Sequence, residues 1–237
     1  MNIHEGGLTS RLLLAYLCPV ARQKTHDDEL KQRLVQAATE LLATHGEDFG
    51  LRSLADSQGT STTAIYSLFG SRGKLLEAVA ERSIQRFAEA TGEVNTDDPL
   101  RSIFALGVTL RAFSKANPAM FEVVFGSRLN SDYMRTLRWG ARQPLRVAVE
   151  ATLAKGLAVG DPQLITTTLH SAVHGFIRLE QIGEVSGDDE FFAMLGHLFD
   201  AFATPEGHEY VTSGPLADAA FVRRVRAADP AEPEAGE

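Results

Sequence analysis

The chain of 237 residues carries 23 Lys and Arg against 31 Asp and Glu, a formal net charge of -8. Its hydrophobic fraction of 44% is that of a globular protein, which excludes collagen-like, disulfide-dense and wholly disordered classes. The acidic balance weighs at first sight against a nucleic-acid binder, because neutralising phosphate takes Lys and Arg.

Cys18 is the single cysteine, so no internal disulfide and no thiolate metal site can form. Arg11 followed by Leu12 to Ala21 has the outline of a signal-peptide core. Cys18-Pro19 interrupts it, however, and Leu17 stands where a lipoprotein signal needs a small residue. No stretch reaches the ~18 apolar residues of a membrane span. We read residues 1–24 as an N-terminal arm or an upstream extension from a misassigned start codon, and the protein as cytoplasmic, with no membrane partner.

Helical spacing dominates from residue 25 onward, and no sustained alternation marks a strand. Leu30, Leu34, Ala37, Ala38, Leu41 and Leu42 form one apolar stripe, with Thr25 as a cap and Gly46 as a stop. Short helices are expected at 51–58 and 62–69, and a long one from Arg72 with Leu75, Leu76, Val79, Ala80, Ile84 and Phe87 on one face. Residues 91–99 read as a connection. Helices are then expected at 100–116, 119–125, 131–157 (kinked by Pro144), 162–182 and 188–203. Beyond Pro205 the signal decays; 216–226 reads as a last helix and 227–237 as a disordered tail.

The informative stretch is Leu51 to Leu76. Two short helices joined by a Gly-containing turn make a helix-turn-helix. Leu54 and Ala55 face inward, Gly59 allows the positive φ of the turn, and Ser61 caps the second helix. Ile65, Leu68 and Phe69 would bury against Leu34, Ala38 and Leu41. That leaves Thr62, Thr63, Tyr66 and Ser67 outward, in a helix that enters the major groove with its N-terminal residues toward the bases.

Ala55, Gly59, Ser61, Ile65-Tyr66, Phe69, Ser71, Lys74 and Leu75-Leu76 together resemble the DNA-binding domain of TetR-type transcriptional regulators. The fit extends from Asp27 to Phe87. Gly50, Leu68 and Gly73 depart from the usual pattern. Asn117 to Phe121, Val124 to Gly126 and the later Val173-His174-Gly175-Phe176 are similar to one C-terminal regulatory domain of that family, although Leu169, His170 and Ser171 stand where many members carry a Trp.

The resemblance implies an all-α homodimer: a helix-turn-helix domain at 25–72, joined by a long helix to a ligand-binding and dimerisation bundle at 73–226. It implies double-stranded operator DNA and a small, largely apolar effector as partners, repression as the activity, and neither cofactor nor enzymatic function. Arg52, Ser61, Thr62, Thr63, Tyr66, Ser67, Arg72 and Lys74 are the candidate DNA contacts. Phe121, Phe125, Trp139, His174 and Phe176 are candidate pocket residues, and equally candidates for core or dimer interface. His170 and His174, four apart, have a metal-ligand spacing. We read no metal site there: Glu180 lies too far along to complete a set, and His174 reads as packing beside Gly175 in a tight helix crossing. A helical enzyme using these residues, or a dimeric interaction protein that has lost its operator, are the rival readings.

The charge is unevenly placed. Residues 1–86 hold 10 basic and 10 acidic side chains, whereas 87–237 hold 13 and 21. The objection from charge therefore falls on the regulatory half. A neutral DNA-binding half must rely on Lys24, Arg52, Arg72 and Lys74, which predicts moderate affinity, steeply lost in salt.

Overall fold

A computed structural model describes residues 26–92, 94–126 and 130–213. These hold eleven α-helices: α1 (His26–His45), α2 (Leu51–Ser57), α3 (Thr62–Phe69), α4 (Arg72–Thr91), α5 (Pro99–Ala116), α6 (Pro118–Phe125), α7 (Asp132–Ala141), α8 (Gln143–Ala154), α9 (Pro162–Gln181), α10 (Asp188–Asp200) and α11 (Pro205–Ser213). The fold class is all-α, as expected: among the described residues, one isolated bridge, Ala158 to Ala203, is the whole of the β content. The arm at 1–24 with Cys18, the Thr25 cap, the helix at 216–226 and the tail lie outside the described residues.

Two expectations need correction. Residues 131–157 are not one kinked helix. α7 ends at Ala141 and α8 begins at Gln143, with Pro144 in its first turn. Pro144 has no N–H to donate and its ring would strike the carbonyl four residues back, so the helix stops and restarts. Nor does the helical signal end at Pro205. Thr204 Oγ accepts from Gly207 N–H at 3.1 Å, which caps α11. Thr-Pro is itself a start signal, with cap then Pro at the first helical position.

The chain divides into two units. The first comprises residues up to Arg86 together with Pro118–Gly140. Its core joins Leu34, Ala38 and Leu42 of α1 with Leu54, Ala55, Ile65, Phe69, Leu75 and Val79, all buried. Arg138 of α7 donates from Nε to Val124 O at 2.5 Å and from Nη2 to Gly126 O at 3.0 Å. The guanidinium thereby serves carbonyls at the end of α6, which carry the negative pole of that helix.

The second unit comprises Phe87–Asn117 and the described residues from Ala141 onward. Leu100, Ile103, Phe104 and Leu110 of α5 are buried with Ile165, Leu169, Val173 and Ile177 of α9 and with Phe191, Leu195 and Phe199 of α10. Gly107 lets these helices approach: a Cβ there would stand 3.5 Å from Leu195 and 3.6 Å from Val173. Inside this apolar packing lies Arg111, only 5% exposed. Its Nε and Nη2 donate to the Glu180 carboxylate at 2.9 and 2.5 Å, and its Nη1 donates to Asp188 at 2.6 Å. The guanidinium lies 4.9 Å from the Phe191 ring centre and 5.6 Å from that of Phe176. Burial works against the charge, but the two carboxylates outweigh it and hold the guanidinium more firmly protonated.

Stability should respond to substitution at two of these positions. Arg111→Ala leaves Glu180 with Lys115 Nζ, 3.5 Å away, as its cationic partner and removes the ion pair of Asp188, and should lower the unfolding free energy by about 2–4 kcal/mol in a denaturant titration. Gly73 has helical geometry and room for a Cβ, whose nearest neighbour would be Ser71 Oγ at 3.7 Å. Gly73→Ala should therefore raise stability by up to about 1 kcal/mol.

Candidate nucleic-acid interface

The turn between α2 and α3 is built by the backbone. Gly59 takes φ +61°, and the N–H groups of Gln58 and Thr60 donate to Ala55 O at 3.1 and 3.0 Å. Ser61 then caps α3, its Oγ accepting from Ala64 N–H at 3.1 Å. Ile65 and Phe69 point inward and are buried, as are Leu54 and Ala55, whereas Leu68 and Leu41 are half-buried. The outward face of α3 carries Thr63, Tyr66 and Ser67, all exposed, with Thr62 half-buried at its start. Tyr66 is 51% exposed, so its ring is not a packing element of this unit. Ser61 and Arg52 are also exposed. α3 thus presents hydroxyl groups on a rigid three-helix support and carries no formal charge.

The candidate cations fare differently. Arg72 Nη1 donates to Phe49 O at 2.8 Å, and its guanidinium lies 4.6 Å from the Phe49 ring centre. It fastens the segment before α2 to the start of α4. Lys74 Nζ sits 2.7 Å from Glu77 Oε2. Glu77, 7% exposed, also accepts from Ser131 Oγ at 2.6 Å, while Ser131 Oγ accepts from Met134 N–H at the start of α7. Burial would raise the Glu77 carboxyl, but the hydrogen bonds from Lys74 and Ser131 and the Lys74 charge prevail and hold it below the usual value. Two of the four cations expected to serve phosphate are thus already engaged, and Lys24 lies outside the described residues. The Glu77–Ser131 link joins positions 54 apart, and no short-range sequence signal announces it.

Residues 103–202 match the family model described as "Tetracyclin repressor-like, C-terminal domain". Solved structures share the fold. A transcriptional regulator of the TetR/AcrR family from Thermobifida fusca is 24% identical over 74% of this chain and 100% of its own, with a TM-score of 0.55. RolR in complex with resorcinol is 19% identical over 89% and 98%, TM-score 0.58. AibR in complex with isovaleryl coenzyme A and operator DNA is 14% identical over 72% and 98%, TM-score 0.54. No curated protein matches the chain. The resemblance to TetR-type regulators is thus supported by a family model over residues 103–202 and by solved structures of the same fold.

The pocket candidates fall into both units. In the first, Phe121 is fully buried with its ring 5.0 Å from that of half-buried Phe125, and Trp139 is 54% exposed. In the second, Phe176 packs on Phe191 at 5.1 Å and beneath Arg111. His170 and His174 stack 4.2 Å apart on α9. No helix of the same chain crosses closely at Gly175, which is exposed and where a Cβ would meet nothing within 4 Å. Among the described residues no group of three or more metal-ligating side chains assembles. No described helix is long and apolar enough to cross a membrane.

Burial, then the charge of Arg142, holds His170 down to about 4. Burial, then His170, Arg178 and Arg142, holds His174 down to about 3. Both rings are therefore neutral in the folded chain at pH 7, while in the unfolded chain each titrates near 6.5. A depressed folded pKa means that the contribution to stability is complete above pH 6.5 and is lost as pH falls through the folded values. Each imidazole should weaken folding by up to about tenfold per pH unit over that window. Urea midpoints at pH 7.5 and pH 5 check this; the double variant His170→Gln/His174→Gln should show a flatter pH response.

Proposed function

We propose that the chain is a transcriptional repressor that binds a palindromic operator in double-stranded DNA as a homodimer and is released by a small effector. The observation that carries this reading is the outer face of α3. Thr62, Thr63, Tyr66 and Ser67 stand on a helix whose inner residues, Ile65 and Phe69, are buried. Threonine offers a methyl to thymine and a hydroxyl to a base edge or sugar, and Tyr66 offers a hydroxyl to phosphate. With no Arg or Lys on α3, bidentate readout of guanine is not available to it. Recognition then leans on methyl contacts and on DNA shape.

One face of α9 supports the homodimer. Leu164, Leu179 and Ile182 are 61%, 42% and 71% exposed, with Ser171 and Gly175 between them on the same face. Large apolar side chains flanking small ones offer a second copy both burial and close approach. A two-fold dimer requires two half-sites related by the same symmetry. Release is then a matter of linkage: an effector that prefers a conformer with wrongly spaced α3 helices weakens DNA binding, and DNA weakens effector binding by the same factor. AibR, with operator DNA and isovaleryl coenzyme A, and RolR, with resorcinol, are family precedents for both partners.

Genomic fragments retained by the purified protein should share an inverted repeat; retention without one removes the operator reading. Thr62→Ala, Thr63→Ala and Tyr66→Phe should each weaken retention about 5- to 100-fold, taking about 1–3 kcal/mol per specific contact. Unchanged cellular effect with all three would favour the interaction-protein alternative. Because Arg72 and Lys74 are engaged internally, affinity should fall less steeply with salt than four free cations would require, which titration over a salt series reads directly. In sedimentation, Leu179→Glu should shift the protein from dimer to monomer.

A further inference from the structure

α4 opens directly after α3, and Lys74 stands in its first turn, its N–H donating to Ser71 Oγ at 3.2 Å. The Lys74 side chain is 60% exposed, yet its Nζ lies 2.7 Å from Glu77 Oε2. Glu77 is buried, and its other oxygen, Oε1, accepts from Ser131 Oγ at 2.6 Å. Ser131 Oγ also accepts from Met134 N–H at 3.2 Å, so the first turn of α7 holds that hydroxyl in place. The Tyr133 ring centre lies 5.7 Å from Lys74 Nζ, and the Tyr133 hydroxyl bonds to Glu81, one turn further along α4. All of these groups belong to the first unit.

We propose that Glu77 competes with operator phosphate for the Lys74 ammonium, and that Ser131 sets the cost of handing it over. A buried carboxylate is costly to leave without partners. While Ser131 donates to it, Glu77 can release Lys74 to a phosphate and still keep a donor. Without Ser131 the same transfer strands the carboxylate, so Lys74 stays where it is. The exposures suit the exchange: the lysine stem is flexible and reaches solvent, whereas the carboxylate is buried and cannot follow it. Ser131 and α7 lie within residues 103–202, the stretch matched by the C-terminal family model. That stretch therefore has a hold on a cation at the start of α4. Displacing α7 from α4 would take Ser131 away and close the clamp on Lys74.

This rests on the operator reading and concerns the regulation of the same surface. Full-length protein is titrated by fluorescence anisotropy, across a salt series, with a duplex carrying the recovered inverted repeat and with a duplex of scrambled sequence. Glu77→Gln should bind about 2- to 5-fold tighter at low salt, because one ion pair no longer competes. The slope of log affinity against log salt should steepen by about one, the signature of an added phosphate contact. Ser131→Ala should bind about 2- to 10-fold more weakly, and Ser131→Thr, which keeps a hydroxyl, should recover most of that loss. In a Lys74→Gln background neither Glu77→Gln nor Ser131→Ala should change binding. A general effect of lost negative charge, or a merely structural role, would persist in that background and overturns the proposal. So does an unchanged salt slope in Glu77→Gln that circular dichroism finds folded. If Glu77→Gln does not fold, Ser131→Ala decides alone: equal losses with and without Lys74→Gln overturn the proposal. A parent that binds neither duplex at low salt removes the operator reading as well, whereas a parent that binds while Glu77→Gln changes nothing overturns this inference only.

Discussion

A guanidinium buried among phenylalanines is costly unless its charge and its donors are met, and Arg111 meets that condition through partners on two other helices. Glu180 closes α9 and Asp188 opens α10, so the ion cluster fixes where one helix ends and the next begins. Asp188 also stands in the first turn of α10, where the helix dipole favours a negative charge. Removing Arg111 would take the bidentate partner from Glu180, which would keep only Lys115 at 3.5 Å, and the ion pair from Asp188. Apolar packing alone would let α5, α9 and α10 slide by fractions of a turn; the charged cluster selects one register. The stacked histidines and the exposed face of α9 are both placed by that register.

The helix-turn-helix unit works by a different physics. Its three helices bury Leu34, Ala38, Leu54, Ala55, Ile65 and Phe69, and polar groups are held at the turn by the backbone and by Ser61. The outward face of α3 is accordingly one of hydroxyl groups and carries no formal charge. Arg72 and Lys74, which a list of cations would assign to phosphate, instead hold the support together through Phe49 and Glu77. Their contribution is to the position of α3. Glu77 further links the start of α4 to Ser131 at the start of α7, so the support of the helix-turn-helix includes residues far along the chain.

Most of the helices were legible in the sequence, because apolar periodicity and capping residues are local signals. Ser61, Gly59 and Gly46 sit at the breaks that their chemistry implies, and Gly59 and Gly46 both take positive φ. Pro144 was legible as an interruption, yet whether it kinks or ends a helix depends on what the flanking segments pack against. Thr204-Pro205 is a local start signal, but the polar residues after it lack the apolar periodicity that marks the other helices. Gly175 beside His174 suggests close helix packing, and within the single chain its face is open. Trp139 and Phe176 looked alike as aromatic pocket candidates; one proves exposed and the other enclosed.

The sequence by itself determined an all-α chain, the helix-turn-helix with hydroxyl residues along the second helix, and a neutral first part before an acidic remainder. These features come from spacing, capping and composition, which act over a few residues. Tertiary structure decided which cations are available, which aromatics are core, and that Arg111 is met by residues 69 and 77 positions away. Such pairings depend on how helices cross, and crossing is set by the sum of many weak packing contacts that no short stretch of sequence contains.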